Sequence, residues 1–228
     1  STCSATVTVL DSFNIVPACK DTSIYLNTGG TITIDSSFVI TQGGGCSSIT
    51  SATISQNSFN CSNVGANLIN VLINGTISCS STVTVIDTVS PNTICQNIST
   101  YLNASGNATI TPAQINNGST DNCAIASYAL SQTAFNCSNI GANSVTLTVT
   151  DVNSNSSTCS ATVTVIDTVS PNAICQNISV YLNASGNATI TPAQINNGST
   201  DNCAIASYSL SQTAFNCSHV GANSVTLT

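Results

Sequence analysis

Apolar and hydroxyl side chains alternate along much of this chain. Val145, Leu147 and Val149 are separated by Thr146 and Thr148, and the same alternation recurs in other segments. Successive side chains of a β-strand point to opposite faces, so the pattern predicts strands with one buried face and one hydroxyl-covered face. Val and Thr are also β-branched, which favours extended backbone.

Turn residues separate the alternating stretches. Asn74-Gly75 stands between apolar residues within 72–77, which predicts a tight type I′ hairpin. Asn116-Asn117-Gly118 marks another turn. No stretch of ten residues has helical periodicity, so the pattern predicts an all-β fold.

A long internal repeat organises the chain. Residues 79–148 and 159–228 match at 64 of 70 positions without a gap. A more divergent copy begins with CSATVTVLD (3–11), which corresponds to CSATVTVID (159–167). A fixed long period indicates a tandem array of one structural unit. Short alternating strands in units of this size predict two-sheet sandwiches.

The composition narrows the classes of partner. Only 4% of residues are charged, the formal net charge is −7, and Lys20 is the one basic residue apart from His219. Nucleic acids and anionic membranes bind proteins through Lys and Arg, so neither is expected as a partner. No apolar run reaches the roughly 18 residues of a membrane-spanning helix, so membrane insertion is not expected either.

The 12 cysteines predict disulfides. Zinc sites usually contain closely spaced pairs such as C-x2-C, and this sequence has none. Few basic groups are available to lower a thiol pKa and make a cysteine reactive. Disulfides persist in oxidising compartments, so an extracellular or cell-surface location is expected.

Several motifs occur together at fixed places in the repeat. They are the entry D-x3-P-x3-C (Asp87, Pro91, Cys95), the D-N-C turn (121–123), the F-x-C motif (Phe135, Cys137), a VTLTVTD strand and a closing C-x-A-T-V-T-V strand. As a set they resemble the hyalin-repeat (HYR) family, whose tandem units occur in very large surface proteins, including adhesins of gliding bacteria. The resemblance covers essentially the whole chain. It implies tandem immunoglobulin-like antiparallel β-sandwich domains, disulfide-stapled and without catalytic residues.

The resemblance also sets the expected domain boundaries. Segment 1–10 is expected to be a closing strand that belongs to a preceding or neighbouring unit. Repeat 1 (11–87) is the divergent copy and lacks the D-N-C turn. Repeat 2 (88–167) is complete, and repeat 3 (168–228) lacks its closing strand.

The cysteine pairing that the resemblance implies lies within each repeat. The first and last cysteines are expected to join the entering strand to the leaving strand, and the middle two to join each other. Four cysteines allow three connectivities, and the choice rests on the resemblance alone. The expected pairs are Cys19–Cys79, Cys46–Cys61, Cys95–Cys159, Cys123–Cys137 and Cys203–Cys217.

Two cysteines remain, Cys3 in segment 1–10 and Cys175 in repeat 3. Segment 1–10 is expected to complete repeat 3 of a neighbouring chain by strand donation, locked by a Cys3–Cys175 disulfide. Repetition of this contact gives a head-to-tail polymer of the chain with itself. The alternative is that the chain continues into a further repeat of the same array, which predicts the same local contact.

Three aspartates are weak candidates for Ca²⁺ ligands. Asp87 and Asp167 stand at repeat boundaries, and Asp151 opens an Asp-x-Asn-x-Asn sequence. This sequence lacks the Gly and the Glu that complete an EF-hand loop. An ordinary turn is therefore expected at Asp151, and no metal or other cofactor is required.

Covalent sugar is expected, because something other than charge must keep a chain with 4% charged residues soluble, and attached sugar is a candidate beside hydroxyls and amides. N-x-S/T sequons mark surface acceptors in secreted proteins. Asp-Thr-Val also resembles an O-glycan acceptor of gliding bacteria. The candidates are Asn74, Asn97, Asn103, Asn107, Asn117, Asn155, Asn177, Asn183, Asn187 and Asn197, with Thr88 and Thr168 for O-linked sugar.

The expected function is structural, and no enzyme is expected. No G-x-S-x-G elbow occurs, and no base and nucleophile recur together in the repeats. The chain is expected to form an extracellular fibre or adhesin stalk, glycosylated and assembled head-to-tail. The alternative is a cell-surface module that recognises a glycan or surface through its inter-strand loops. The near-identity of repeats 2 and 3 favours the stalk, because a specific binding site needs only one distinctive unit.

Overall fold

The computed structural model describes residues 1–10, 18–41 and 49–228. Over these residues the fold is all-β and immunoglobulin-like, as predicted, and its two α-helices are single turns. Neither helix is long and apolar enough to cross a membrane. The chain divides into two compact units: 1–94 with 118–129 and 148–158, and 95–117 with 130–147 and 159–228. Repeat 2 therefore contributes to both units.

Repeat 1 forms a four-stranded sheet in the order β2-β8-β7-β5, with two-stranded pairs β3-β6 and β1-β4. The central strands β7 and β8 form the predicted hairpin. Asn74 and Gly75 have positive φ at its tip, and Thr76 N–H donates to the Ile73 carbonyl, as a type I′ turn requires. The strands are β1 Ala18–Cys19, β2 Thr22–Tyr25, β3 Thr31–Thr33, β4 Ile40–Thr41, β5 Ala52–Ile54, β6 Ser58–Asn60, β7 Gly65–Ile73 and β8 Ile77–Ile86.

The alternating residues of β8 face the core on one side. Val83 and Val85 are 0% and 1% exposed, whereas Thr82 and Thr84 between them are half-exposed. The four-stranded sheet and the β3-β6 pair both contribute to this core, in which Phe59 of β6 lies beside the valines. The hydroxyl face remains outside because its side chains can bond water, so the predicted pattern is confirmed.

Repeat 2 has the same plan, with a sheet in the order β11-β13-β14-β9 and a pair β10-β12. The closing strand β14 lies between β13 and β9, and it runs parallel to β9 with Val163 opposite Ile98. The helix α1 begins with Pro112 after a Thr111/Gln114 capping box, and one turn is too short to show periodicity in the sequence. The elements are β9 Ile98–Tyr101, β10 Asn107–Thr109, α1 Pro112–Ile115, β11 Ile125–Leu130, β12 Ala134–Asn136, β13 Gly141–Asp151 and β14 Ser156–Ile166.

Repeat 3 forms fewer strands than its near-identity with repeat 2 suggests. It contains β15 Asn187–Thr189, α2 Pro192–Ile195 and β16 Ala214–Asn216, and β15 pairs with β16. Residues 178–181, which correspond to β9, have no ladder partner. In repeat 2 that partner is β14, and no described residue stands in its place here.

The centre of β13 should dominate the stability of repeat 2. Leu147 is fully buried, and replacing it with Ala leaves a cavity, so we expect Leu147→Ala to lower the free energy of unfolding by about 2–5 kcal/mol. Thr146→Ala on the other face of the same strand is the matched control, with an expected loss below about 1 kcal/mol. Urea denaturation followed by circular dichroism measures both. Equal losses would contradict the assigned faces of the strand.

Candidate functional site at the repeat junctions

Two disulfides close individual repeats. Cys19–Cys79 and Cys95–Cys159 join residues 60 and 64 positions apart, and they are the two outer pairs that the sequence predicted. Each ties the entering segment of a repeat to its closing strand. Chain entropy gives a crosslink over a loop of this length a stabilisation of roughly 4 kcal/mol.

The middle cysteines pair between repeats, which corrects the prediction. The structure contains Cys61–Cys123 and Cys137–Cys203. The predicted pairs Cys123–Cys137 and Cys203–Cys217 are therefore wrong. Cys46–Cys61 is wrong as well, because Cys61 is bonded to Cys123; Cys46 itself lies outside the described residues. The F-x-C motifs that end at Cys61 and Cys137 are thus each joined to the D-N-C turn of the repeat that follows.

The length of β13 explains why the predicted pairing fails. Cys137 lies just before β13, whose 11 residues span about 35 Å. Cys123 lies beside the far end of this strand, where Val152 N–H donates to the Ala124 carbonyl. The Cα atoms of a disulfide are at most about 7 Å apart, so these two cysteines cannot meet. Their nearness in the sequence concealed this separation.

A capped turn orients Cys61 toward the next repeat. Cys61–Asn63 form a short 3₁₀ turn directly after β6. Asn60 Oδ1 accepts from Ser62 N–H, and Asn63 Oδ1 accepts in return from Asn60 N–H, so the turn is fixed from both ends. Cys123, the partner of Cys61, packs against the core of repeat 1.

A glycine makes room for each junction disulfide. Gly30 has φ +70°, and a Cβ there would lie 2.8 Å from Cys61 Sγ and 2.6 Å from the Asn122 carbonyl oxygen. Gly106 has φ +72° and the same relation to Cys137 Sγ and the Asn202 carbonyl oxygen, at 2.7 Å each. Sequence analysis missed both glycines, although each follows an Asn-x-x sequence that turns the chain beside the junction.

The Asn of each D-N-C turn bonds to the repeat before it. Asn122 Nδ2 donates to Asp87 Oδ1 at 3.1 Å and to the Asn27 carbonyl at 3.3 Å. Asn202 makes the equivalent bonds to Asp167 and Asn103. In the D-N-C motif, the Asn therefore contacts the preceding repeat through hydrogen bonds and the Cys through a disulfide.

The calcium candidates occupy two of these junctions. Asp87 and Asp151 lie close together, and Asp121 is the third carboxylate of the cluster. The sequence analysis did not assign Asp121 to a metal. Asp151 also closes the predicted turn, because its Oδ1 accepts from the N–H groups of Asn153 and Asn155. Asp167 lies apart from this cluster, beside the Asp201–Cys203 turn.

An open groove lies along repeat 3. It has a volume of about 700 Å³ and is bordered by residues 175–182 on one side and 219–225 on the other. The corresponding residues of repeat 2 flank β14. Cys175 and Cys217 of repeat 3 and Cys3 of segment 1–10 are exposed free thiols.

The predicted sugar acceptors are exposed, with one exception. Asn155 is half-buried, and its Nδ2, the atom that N-glycosylation modifies, donates to Asp151 Oδ2 at 2.8 Å and to the Asp87 carbonyl. Asn155 is therefore excluded as an acceptor in the folded chain. The exposed candidates are Asn74, Thr88, Asn97, Asn103, Asn107, Asn117, Thr168, Asn177, Asn183, Asn187 and Asn197.

Comparison with known proteins adds no family. No protein-family description and no curated protein matches this chain, so the hyalin-repeat resemblance stays a prediction. Among solved structures, protocadherin gamma B7 extracellular cadherin domains 1–4 align at 11% identity over 87% of this chain and 63% of that chain (TM-score 0.32). Human mucin-like protocadherin EC1-2 aligns at 12% identity over 68% and 98% (TM-score 0.30), and titin domains I67–I69 at 9% over 73% and 71% (TM-score 0.28). The chain thus spans less than two thirds of the protocadherin gamma B7 chain.

The contact between Gly30 and the junction disulfide can be tested against a matched glycine. Gly75 has φ +71° but open space around it. An Ala in this left-handed conformation costs about 1–2 kcal/mol, so we expect that loss for Gly75→Ala. Gly30→Ala must also displace Cys61 or the Asn122 carbonyl, which adds about 1–3 kcal/mol. Urea midpoints with a count of free thiols measure the difference, and equal losses would contradict the close approach.

Proposed function

We propose that this chain is a structural subunit of an extracellular fibre or stalk, in which copies join head to tail by donating segment 1–10 to repeat 3. The observation that carries the proposal is the open groove of repeat 3, which corresponds to the place of β14 in repeat 2. Covalent links between successive repeats suit a load-bearing array. Disulfides at every described junction also support an oxidising, extracellular setting.

Polar and apolar residues line the groove, and a strand laid in it would cover the apolar ones. Val225 is partly exposed, whereas its counterpart Val145 in repeat 2 is fully buried beneath the completed sheet. Ile178 and Val180 are 36% and 41% exposed along the opposite wall. An unpaired sheet edge beside exposed apolar side chains favours the addition of a strand.

Segment 1–10 has the side chains that fit this groove. Val7 and Val9 are 83% and 88% exposed. Their counterparts in β14, Val163 and Val165, are 0% and 1% exposed. Burying each valine is worth about 1.5–3 kcal/mol before the cost of ordering the strand. In the register of β14, the segment would present its apolar residues to the core of repeat 3.

The polar and covalent contacts of β14 can also be reproduced. Thr162 N–H donates to Asn97 Oδ1 at 2.7 Å, and the corresponding amide in repeat 3 is the exposed Asn177. Cys159 bonds to Cys95, and their counterparts are Cys3 and Cys175. The donated strand would therefore be locked by a Cys3–Cys175 disulfide between two copies.

The junction pattern implies a second link. By analogy with Cys61–Cys123 and Cys137–Cys203, Cys217 pairs with the D-N-C cysteine of a following repeat. In the sequence of repeat 1 that place belongs to Cys46, which lies outside the described residues. The donated strand and the accepting groove are different surfaces of the chain. Each added copy therefore leaves one free strand at one end of the assembly and one free groove at the other, and the result is an open fibre. Glycans on the exposed Asn and Thr acceptors would keep its uncharged surface soluble.

Strand donation is tested with the 228-residue chain under mildly oxidising conditions. We expect a ladder of disulfide-linked species on a non-reducing gel that collapses to one band near 23.0 kDa on reduction. Val7→Asp puts a charge into the core of repeat 3 and should abolish the ladder. Thr6→Asp is the matched control, because its counterpart Thr162 is exposed. The same ladder with Val7→Asp, or monomers with free thiols at Cys3 and Cys175, would contradict the proposal.

A further inference from the structure

We propose that Asp87, Asp121 and Asp151 bind a calcium ion where repeat 1 meets repeat 2. The three carboxylates come from separate parts of the chain. Asp87 follows β8, Asp121 begins the turn before β11, and Asp151 ends β13. All three belong to the first compact unit, and one ligand oxygen from each lies within 4.8 Å of the other two. This site is independent of strand donation, which takes place in repeat 3.

In both Asp87 and Asp121, one carboxylate oxygen accepts hydrogen bonds and the other accepts none. Asp87 Oδ1 accepts from Val89 N–H and from Asn122 Nδ2. Asp121 Oδ2 accepts from the N–H groups of Cys123 and Ala124. The second oxygens, Asp87 Oδ2 and Asp121 Oδ1, are buried and have no hydrogen-bond partner. The turns are thus held by one oxygen, while the other is left for a ligand.

The burial of the carboxylates makes an oxygen without a hydrogen-bond partner unusual. Asp87 is 5% exposed and Asp151 is 2% exposed. Buried polar atoms are nearly always hydrogen-bonded, and buried charges are paired or coordinate metals. Three carboxylates this close also repel one another. The chain has a single Lys and no Arg to neutralise them, so a bound cation is the physical means of stabilising the arrangement.

The donors select calcium among common cations. All are oxygens, and the buried Oδ1 atoms of Asn122 and Asn153, in the same two turns, also lack partners. Ca²⁺ takes 6–8 oxygen ligands in flexible geometry, whereas Mg²⁺ requires a near-ideal octahedron and Zn²⁺ prefers Cys and His. Extracellular modules bind calcium at roughly 0.1–1 mM, which sets the concentration for a test.

The next junction provides an internal control. Asp167, Asp201 and Asn202 repeat the arrangement of Asp87, Asp121 and Asn122, and the Oδ1 atoms of Asp201 and Asn202 again lack partners. The position that corresponds to Asp151 comes after Thr228, so among the residues that the structure describes only two carboxylates come together there. We therefore expect one calcium site in the 228-residue chain.

Equilibrium dialysis of the oxidised chain against 10 mM CaCl₂, with metal analysis, should find about one bound Ca²⁺. Calcium in place of EDTA should raise the thermal midpoint by about 3–10 °C. Asp121→Asn keeps an oxygen acceptor for its turn but removes a charge, so it should lose the bound ion and this shift. Because it relieves repulsion, its midpoint in EDTA should equal or exceed that of the unmodified chain.

Asp201→Asn is the matched control, since it makes the same change in the same turn of repeat 3. It should retain the bound ion and the calcium-dependent shift. Less than half a calcium per unmodified chain at 10 mM would overturn the proposal without reference to any variant. Equal calcium binding by Asp121→Asn and the unmodified chain would overturn it as well. Either result leaves the strand-donation gel unaffected.

Discussion

The disulfide between one repeat and the next is the constraint on which the junctions depend. Cys61–Cys123 holds the D-N-C turn against the core of repeat 1. With Cys123 fixed, Asn122 reaches Asp87 and the Asn27 carbonyl, and Asp121 is brought beside Asp87 and Asp151. Gly30 is required because the sulfur and a carbonyl occupy the space of a side chain. The Cys137–Cys203 junction repeats the disulfide, the glycine beside it and the bond from Asn202 to Asp167.

The closing strand is the second constraint, because it lies inside its sheet. In repeat 2, β14 pairs with strands on both sides, and its buried valines complete the core. In repeat 3 no described residue fills that position, residues 178–181 form no ladder, and a groove lies between them and residues 219–225.

Sequence reasoning reached what depends on local pattern. The alternation of Thr82 to Val85 predicts the faces of β8, and Asn74-Gly75 predicts its hairpin, because strand period and positive φ are local properties. Sequence reasoning mispairs Cys123 because its partner Cys61 lies in the preceding repeat. It does not find Asp121 because Asp87 and Asp151 are distant in the sequence. The failed Cys123–Cys137 pair shows why: these cysteines are only 14 positions apart in the sequence, yet they lie near opposite ends of β13. The strands missing from repeat 3 likewise depend on a non-local partner.

Disulfide mapping tests the central claim, that a disulfide joins each described repeat to the next. The non-reduced chain is digested with pepsin at low pH, because protonated thiols do not exchange with disulfides. Mass spectrometry then identifies the linked peptides. We predict one linked pair that contains Cys61 with Cys123 and another that contains Cys137 with Cys203. A linked pair that contains Cys123 with Cys137 would contradict the account.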